Sequence, residues 1–143
     1  MGEERSRLII RQMYRSMKET MYDARLNVEA LPSHARKLLP QISERTFRSY
    51  DGTAMFIPDV IHGARVLDIG CGGGSLTFLL SKLVGPSGHV VGVDSSEQFI
   101  QLCQEQTDYH MREWGYTQPN CEFIQTDIET LTDFQLEPFD VIV

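Results

Sequence analysis

An acid followed by a glycine-rich turn is the first feature of this chain that could do chemistry. Residues 66–74 read Val-Leu-Asp-Ile-Gly-Cys-Gly-Gly-Gly, so Asp68 stands two residues before a loop that contains Gly70, Gly72 and Gly74. Because glycine has no β-carbon, such a loop can turn sharply and bring its backbone close to a ligand. The pattern predicts a nucleotide-cofactor loop whose carboxylate faces a positive charge on the ligand.

Two further acids follow the next two apolar runs of the chain. Asp94 comes 24 residues after Gly70, where its carboxylate can accept hydrogen bonds from both hydroxyls of a ribose. Asp127 can accept from an adenine amino group, while the amide and side chain of Ile128 meet the ring. Ser95 is the predicted N-cap of the helix after Asp94, with Gln98 completing a capping box.

These features together define a candidate cofactor site. Its predicted residues are Asp68, Gly70, Cys71, Gly72, Gly74, Asp94, Ser95, Asp127 and Ile128. Each acid also has a purely structural interpretation: Asp68 could bond loop amides, Asp94 could cap a helix, and Asp127 could simply follow a strand. Three acids at three strand ends favour binding, because ligands of open α/β sheets lie beyond the carboxyl ends of the strands.

The glycine loop alone does not identify the cofactor, since dinucleotide-binding proteins also place one after their first strand. Two details separate the alternatives. The dinucleotide pattern has glycine or alanine where this chain has Ser75, and Asp68 would repel a pyrophosphate. The same carboxylate is favourable beside the α-amino and sulfonium groups of S-adenosylmethionine, so we favour a methyl donor over NAD.

Alternating strands and helices must position these residues. Arg65–Ile69, His89–Val93, Cys121–Gln125 and 139–143 read as strands. Helical stripes separate the first three strands; one closes at Gly85, and the other runs to about Trp114 with Gly115 as its left-handed cap. This alternation predicts an α/β fold with right-handed crossovers and a mainly parallel sheet.

The N-terminal part of the chain has a different character. Residues 1–48 hold ten Lys and Arg against six Asp and Glu, a balance of +4, whereas residues 49–143 hold three against fourteen, a balance of −11. Apolar residues at helical spacing predict a first helix through Met21 and a second from Ser33 that kinks or restarts at Pro40. We expect residues 1–48 to be a helical segment that packs against the acidic domain of residues 49–143.

Composition excludes several classes of protein. The chain has 143 residues, 41% hydrophobic and 23% charged, as in an ordinary globular domain. An acidic domain is a poor binder of nucleic acid, and no apolar run is long enough to span a membrane. Three scattered cysteines and four histidines form no metal-ligand spacing. We therefore expect a reduced, cytoplasmic protein without a metal site, its cysteines serving as packing residues.

Residues 66–74, Asp94 and Asp127 together resemble motifs I, II and III of the class I S-adenosylmethionine-dependent methyltransferases. The resemblance implies a Rossmann-like sheet of seven strands ordered 3-2-1-4-5-7-6, S-adenosylmethionine as cofactor and S-adenosylhomocysteine as product. This chain supplies strands 3-2-1-4, so its strand-four edge would be exposed unless a continuation of the chain or a second copy covers it. We expect an N-terminal piece of a longer protein or self-association through that edge.

A closer resemblance covers roughly residues 56–125 and extends to the arsenite methyltransferases and their small-molecule methyltransferase relatives. It is carried by residues 56–58, 84–90, 108–110, 115–116 and Asn120. In that family, cysteine thiolates bind trivalent arsenic, and one of them lies in a loop that here reads Tyr50-Asp51-Gly52-Thr53. Residues 1–63 contain no cysteine, so the resemblance does not extend to the thiolates. Tyr50 would cover the cofactor.

The expected function is therefore methyl transfer from S-adenosylmethionine to a small molecule, with this chain as the cofactor-binding half. No catalytic residue can be assigned, because the resemblance places most of the acceptor pocket beyond strand four. The alternative is a non-catalytic module that binds the cofactor or a protein partner. The third possibility is a dinucleotide-dependent oxidoreductase.

Overall fold

The computed structural model describes residues 37–49 and 62–143 of the chain. Short helices precede a sheet whose strands alternate with two longer helices. In chain order the elements are a 3-10 turn (Leu39–Gln41), α1 (Glu44–Arg48), β1 (Arg65–Ile69), α2 (Ser75–Val84), β2 (His89–Asp94), α3 (Glu97–Trp114), β3 (Cys121–Gln125), a second 3-10 turn (Ile128–Asp133) and β4 (Val141–Ile142).

The four strands form one parallel sheet in the order β3-β2-β1-β4. Val66 of β1 pairs with Val90 of β2 on one side and with Val141 of β4 on the other. Val66 and Leu67 point to opposite faces of the sheet, and both are buried. Burial on both faces explains why β1 reads as an almost continuous apolar run. The predicted α/β fold and strand order are confirmed.

The β4 strand is shorter than the predicted 139–143. Its register covers Val141 and Ile142 alone. Backbone bonds nevertheless continue on either side, because the Asp140 amide donates to the Arg65 carbonyl at 2.8 Å and the Ile69 amide to the Val143 carbonyl at 2.9 Å. The side chain of Ile142 is 62% exposed.

The N-cap prediction for α3 was wrong by one residue. Ser96, not Ser95, caps the helix, because its Oγ accepts a hydrogen bond from the Phe99 amide at 3.3 Å. The cause is Asp94, whose Oδ1 accepts from the Ser96 amide at 2.9 Å. This contact turns the chain after β2 and leaves Ser95 within the turn, so the first helical residue is Glu97.

The described N-terminal residues agree with a helix that restarts after Pro40. A 3-10 turn around Pro40 gives way to α1, whose N-cap Ser43 accepts from the Thr46 amide at 3.2 Å. The predicted first helix and the Ser33 cap lie outside the described residues. The division at residue 48 stays a prediction. No helix in the described ranges has the length and apolar character needed to cross a membrane.

Gly115 ends α3 in the left-handed conformation that the sequence predicts, with φ of 77°. A β-carbon there would meet no atom within 4 Å, so substitution should cost only backbone strain. We expect Gly115→Ala to lower the free energy of unfolding by about 1 kcal/mol. Gly115→Asn should lower it less, since asparagine tolerates this conformation. Urea unfolding of both variants tests this, and equal losses would contradict it.

Candidate functional site

Three chain segments bring the predicted site residues to one edge of the sheet. The glycine loop follows β1, Asp94 ends β2, and Asp127 follows β3. Parallel strands place their carboxyl ends at the same edge, which is where ligands of such sheets bind. The amides of Gly70 and Cys71 both donate to the Val93 carbonyl, at 2.9 and 3.0 Å. The loop is thus tied to the end of β2.

The glycine loop leaves its outer side open. A β-carbon added to Gly70 or Gly72 would meet nothing within 4 Å. Gly72 has φ of 53°, a conformation that side-chain-bearing residues rarely adopt. Gly74 differs, because a β-carbon there would lie 2.9 Å from the Phe78 ring and 3.0 Å from Cys103 Sγ. Gly74 is therefore needed for packing, while the first two glycines leave open space beside the backbone.

Asp94 is held by two backbone amides. Its Oδ2 accepts from the Gly72 amide at 2.9 Å, and its Oδ1 accepts from the Ser96 amide at 2.9 Å. Asp94 does not cap the helix itself, because it binds the amide of the cap residue Ser96 and no amide within α3. Each carboxylate oxygen can accept a further hydrogen bond. Asp94 is thus pre-oriented beside the glycine loop with capacity left for a hydroxyl donor.

Asp68 is a buried carboxyl group, 4% exposed, beneath the loop. Its Oδ2 accepts a hydrogen bond from Thr77 Oγ1 at 2.7 Å, so its partner lies on α2 rather than in the loop. Burial raises the pKa of Asp68 from 3.8 to about 6; the Thr77 hydrogen bond lowers it and the Asp94 charge raises it. A cation bound beside the loop would favour the ionised form.

Asp127 and Ile128 lie on the exposed side of the same edge. Asp127 is the N-cap residue of the second 3-10 turn, and Thr130 Oγ1 donates to its carbonyl at 3.2 Å. The side chain of Ile128 is 59% exposed. An exposed apolar side chain next to an acid suits an aromatic ring that also carries an amino group. The adenine contact remains a prediction.

Sequence reasoning missed two features of the site. One is Thr77, for which the signal was available: a hydroxyl three residues into the helix that follows the loop. The other is the proximity of two cysteines that are 32 residues apart. The thiol of Cys103 donates to the Gly72 carbonyl at 3.2 Å, and the thiol of Cys71 donates to the same oxygen at 3.7 Å.

The cysteines occupy packed positions, as buried small residues do. Cys71 is 8% exposed, Cys103 0% and Cys121 5%. The adjacent Cys103 thiol and burial hold the pKa of Cys71 well above its usual range, and burial raises the pKa of Cys121 to about 12. A high thiol pKa disfavours the reactive thiolate. Within residues 37–49 and 62–143, no cluster of three or more metal-ligating side chains occurs.

Comparison with known proteins agrees with this geometry. Residues 62–143 match the family model described as a methyltransferase domain. The arsenite methyltransferase of Rattus norvegicus is 28% identical over 141 residues, 94% of this chain and 38% of the relative. That of Homo sapiens is 33% identical over 115 residues, 79% of this chain and 31% of the relative. The chain therefore spans about a third of the length of these curated relatives.

A solved structure provides the corresponding fold. The arsenic(III) S-adenosylmethionine methyltransferase of Chlamydomonas reinhardtii superimposes with a TM-score of 0.73 at 34% identity, over 79% of this chain and 38% of that one. The predicted resemblance to arsenite methyltransferases is confirmed by these similarities. The predicted cofactor, S-adenosylmethionine, is confirmed at the level of this family.

Proposed function

This chain belongs to the methyltransferase-domain family, and from that premise we propose that it is the S-adenosylmethionine-binding part of an enzyme that methylates a small molecule. One observation carries the proposal. A buried acid, an open glycine loop and a pre-oriented second acid meet at the carboxyl ends of two adjacent parallel strands. The bond from the Gly72 amide to Asp94 Oδ2, at 2.9 Å, joins the loop to the second acid.

We assign a part of the cofactor to each group. Asp94 orients the ribose through its free acceptor capacity, with Ser95 in the adjoining turn. Asp127 and Ile128 receive the adenine. Asp68 and the loop formed by Gly70, Cys71, Gly72 and Gly74 receive the methionine end. When bound, the cofactor supplies an electrophilic methyl group on a sulfonium. The chain's own contribution is to hold that methyl group in line with a nucleophile and to exclude water.

The acceptor that we propose is a small molecule, without assigning arsenic to it. The relatives are named for arsenite, whose trivalent arsenic is bound through thiolates in that family. This chain has no cysteine before residue 63, and Cys71, Cys103 and Cys121 are all buried. This part of the protein therefore offers no accessible thiolate to trivalent arsenic.

The remaining partner assignments are also proposals. The balance of −11 over residues 49–143 argues against nucleic acid as a partner, because phosphate backbones need a basic surface. We propose a cytoplasmic protein that does not bind membranes. Self-association through the β4 edge is supported by the exposure of Ile142, since an apolar strand edge invites pairing with another strand.

Calorimetric titration with S-adenosylhomocysteine, with NAD as the control, tests the cofactor assignment. We expect saturable binding of S-adenosylhomocysteine and none of NAD, because Asp68 places a carboxyl group beside the loop, where it would repel the pyrophosphate of a dinucleotide. Binding of NAD alone would overturn the proposal in favour of a dinucleotide oxidoreductase. Binding of S-adenosylhomocysteine without turnover by a chain extended past residue 143 would favour the non-catalytic module.

A further inference from the structure

A short N-terminal segment packs directly against the glycine loop. We call residues 42–49 the docked segment; it includes α1 and its cap. Ile42 is fully buried and Phe47 is 6% exposed, and both belong to the core that α2 and α3 form against the sheet. At the surface, Arg45 pairs with Glu105 of α3 at 2.7 Å. The docked segment is therefore anchored by its own apolar side chains.

Ser49 of the docked segment lies against the loop at Gly73. A β-carbon built on Gly73 would lie 1.6 Å from Ser49 Oγ, 2.6 Å from Ser49 Cβ and 3.5 Å from the Thr46 carbonyl oxygen. Gly73 is absent from the glycines with positive φ, so its backbone does not require glycine. Glycine is needed at position 73 only because Ser49 occupies the space that a side chain would fill.

This contact lies within the glycine loop of the candidate site. Gly73 follows Gly72, whose amide binds Asp94, and precedes Gly74, which packs on Phe78. Ser49 is itself held in place, because its Oγ donates to the Thr46 carbonyl at 2.6 Å. A shift of the docked segment would therefore move Ser49 directly relative to Gly73 of the loop.

His110 holds the other end of the docked segment. Its Nε2 accepts a hydrogen bond from the Ser43 amide at 3.1 Å, and its Nδ1 lies 2.8 Å from the Gln106 carbonyl oxygen. A carbonyl can only accept, so Nδ1 carries the proton and Nε2 carries the lone pair that accepts from the Ser43 amide. The imidazole also stacks on Phe78, with 3.7 Å between ring centroids. His110 thus joins the cap of α1 to the ring beneath Gly74.

We propose that the docked segment is part of the cofactor site, and that its contact with Gly73 holds the glycine loop in its binding conformation. His110 is a positioning residue: it touches no cofactor but fixes the cap that places Ser49. The inference rests on the proposed function, since it concerns the affinity of the same site. It adds Ser49, Gly73 and His110 to the groups that determine that affinity.

A steric test uses Gly73 and Ser49 together. Gly73→Ala should weaken binding of S-adenosylhomocysteine by about tenfold or more, because the new β-carbon displaces Ser49. Ser49→Gly removes the atoms that clash, so Gly73→Ala with Ser49→Gly should regain most of the affinity. Hydrogen exchange should rise over residues 43–49 in the single variant and fall again in the double variant. A double variant as weak as Gly73→Ala would overturn the inference, because the defect would then lie in the loop itself.

A matched pair of substitutions tests His110. Gln places an acceptor near the position of Nε2, whereas Phe keeps a stacked ring and loses the acceptor. We expect His110→Phe to weaken binding about tenfold and His110→Gln to restore part of that loss, even though Gln sacrifices the stacking. Retained affinity in His110→Phe together with a loss in His110→Gln would show that stacking alone matters and would contradict the positioning role.

Different results would contradict the proposed function and the role of the docked segment. If the unaltered chain shows no saturable binding of S-adenosylhomocysteine, the proposed function fails and the inference fails with it. If the unaltered chain binds but affinity is not regained in the double variant, the proposed function stands and the role of the docked segment is wrong.

Discussion

Asp94→Ala is expected to weaken binding of S-adenosylhomocysteine by roughly 2–4 kcal/mol, about 30- to 1,000-fold. The variant removes the proposed acceptor for two ribose hydroxyls. It also frees the Gly72 and Ser96 amides, which Asp94 holds at 2.9 Å each, so the loop and the start of α3 lose their common anchor. Calorimetric titration measures the loss, and a change below tenfold would contradict the ribose assignment.

Two controls separate the roles of Asp94. Asp108→Ala makes the same change in net charge at an exposed position on α3 and should leave affinity unchanged. Asp94→Asn keeps the size of the side chain and one acceptor oxygen but loses the charge. If its affinity lies between those of the native chain and Asp94→Ala, both charge and anchoring contribute. An Asp108→Ala variant as weak as Asp94→Ala would show a general effect of charge instead.

The part of the fold that local patterns determine was predicted well. The bounds of β1 and β3 agree with the prediction because each strand is a short run bounded by turn residues. The end of α3 at Trp114 and the cap at Gly115 also agree, because a glycine directly after an amphipathic stripe commonly ends the helix in the left-handed conformation. Parallel order followed from the alternation of strands and helices.

What the prediction missed depends on contacts between distant residues. Ser95 and Ser96 are equally good caps in isolation, and the bond from the Ser96 amide to Asp94 decides between them. The proximity of Cys71 and Cys103 arises only when α3 packs behind the loop. Ser49 carries no signal of its own, because its partner Gly73 reads as one more flexible loop glycine.

Asp68 shows how the candidate site opposes the stability of the fold. Its pKa is raised from 3.8 to about 6, chiefly by burial, so the folded state disfavours the carboxylate that a cationic ligand would favour. Below about pH 4 Asp68 is protonated in both the folded and the unfolded state, so its burial does not lower the free energy of unfolding through ionisation. Between about pH 4 and 6 the unfolded state ionises first, and stability falls as pH rises. Above pH 6 the carboxylate is ionised in both states, and the pKa difference lowers the free energy of unfolding by about 3 kcal/mol.

Asp68→Asn should therefore stabilise the chain at pH 7.5, by up to about 3 kcal/mol, while weakening cofactor binding. An amide oxygen can still accept from Thr77, which donates to Asp68 at 2.7 Å in the native chain. S-adenosylmethionine should lose more affinity than S-adenosylhomocysteine, because only the former carries the sulfonium charge. Urea unfolding at pH 4 and pH 7.5 should show the gain at the higher pH alone. A variant less stable than the native chain at pH 7.5 would mean that Asp68 is already ionised and held by favourable contacts. Equal losses for the two cofactors would place its charge away from the sulfonium.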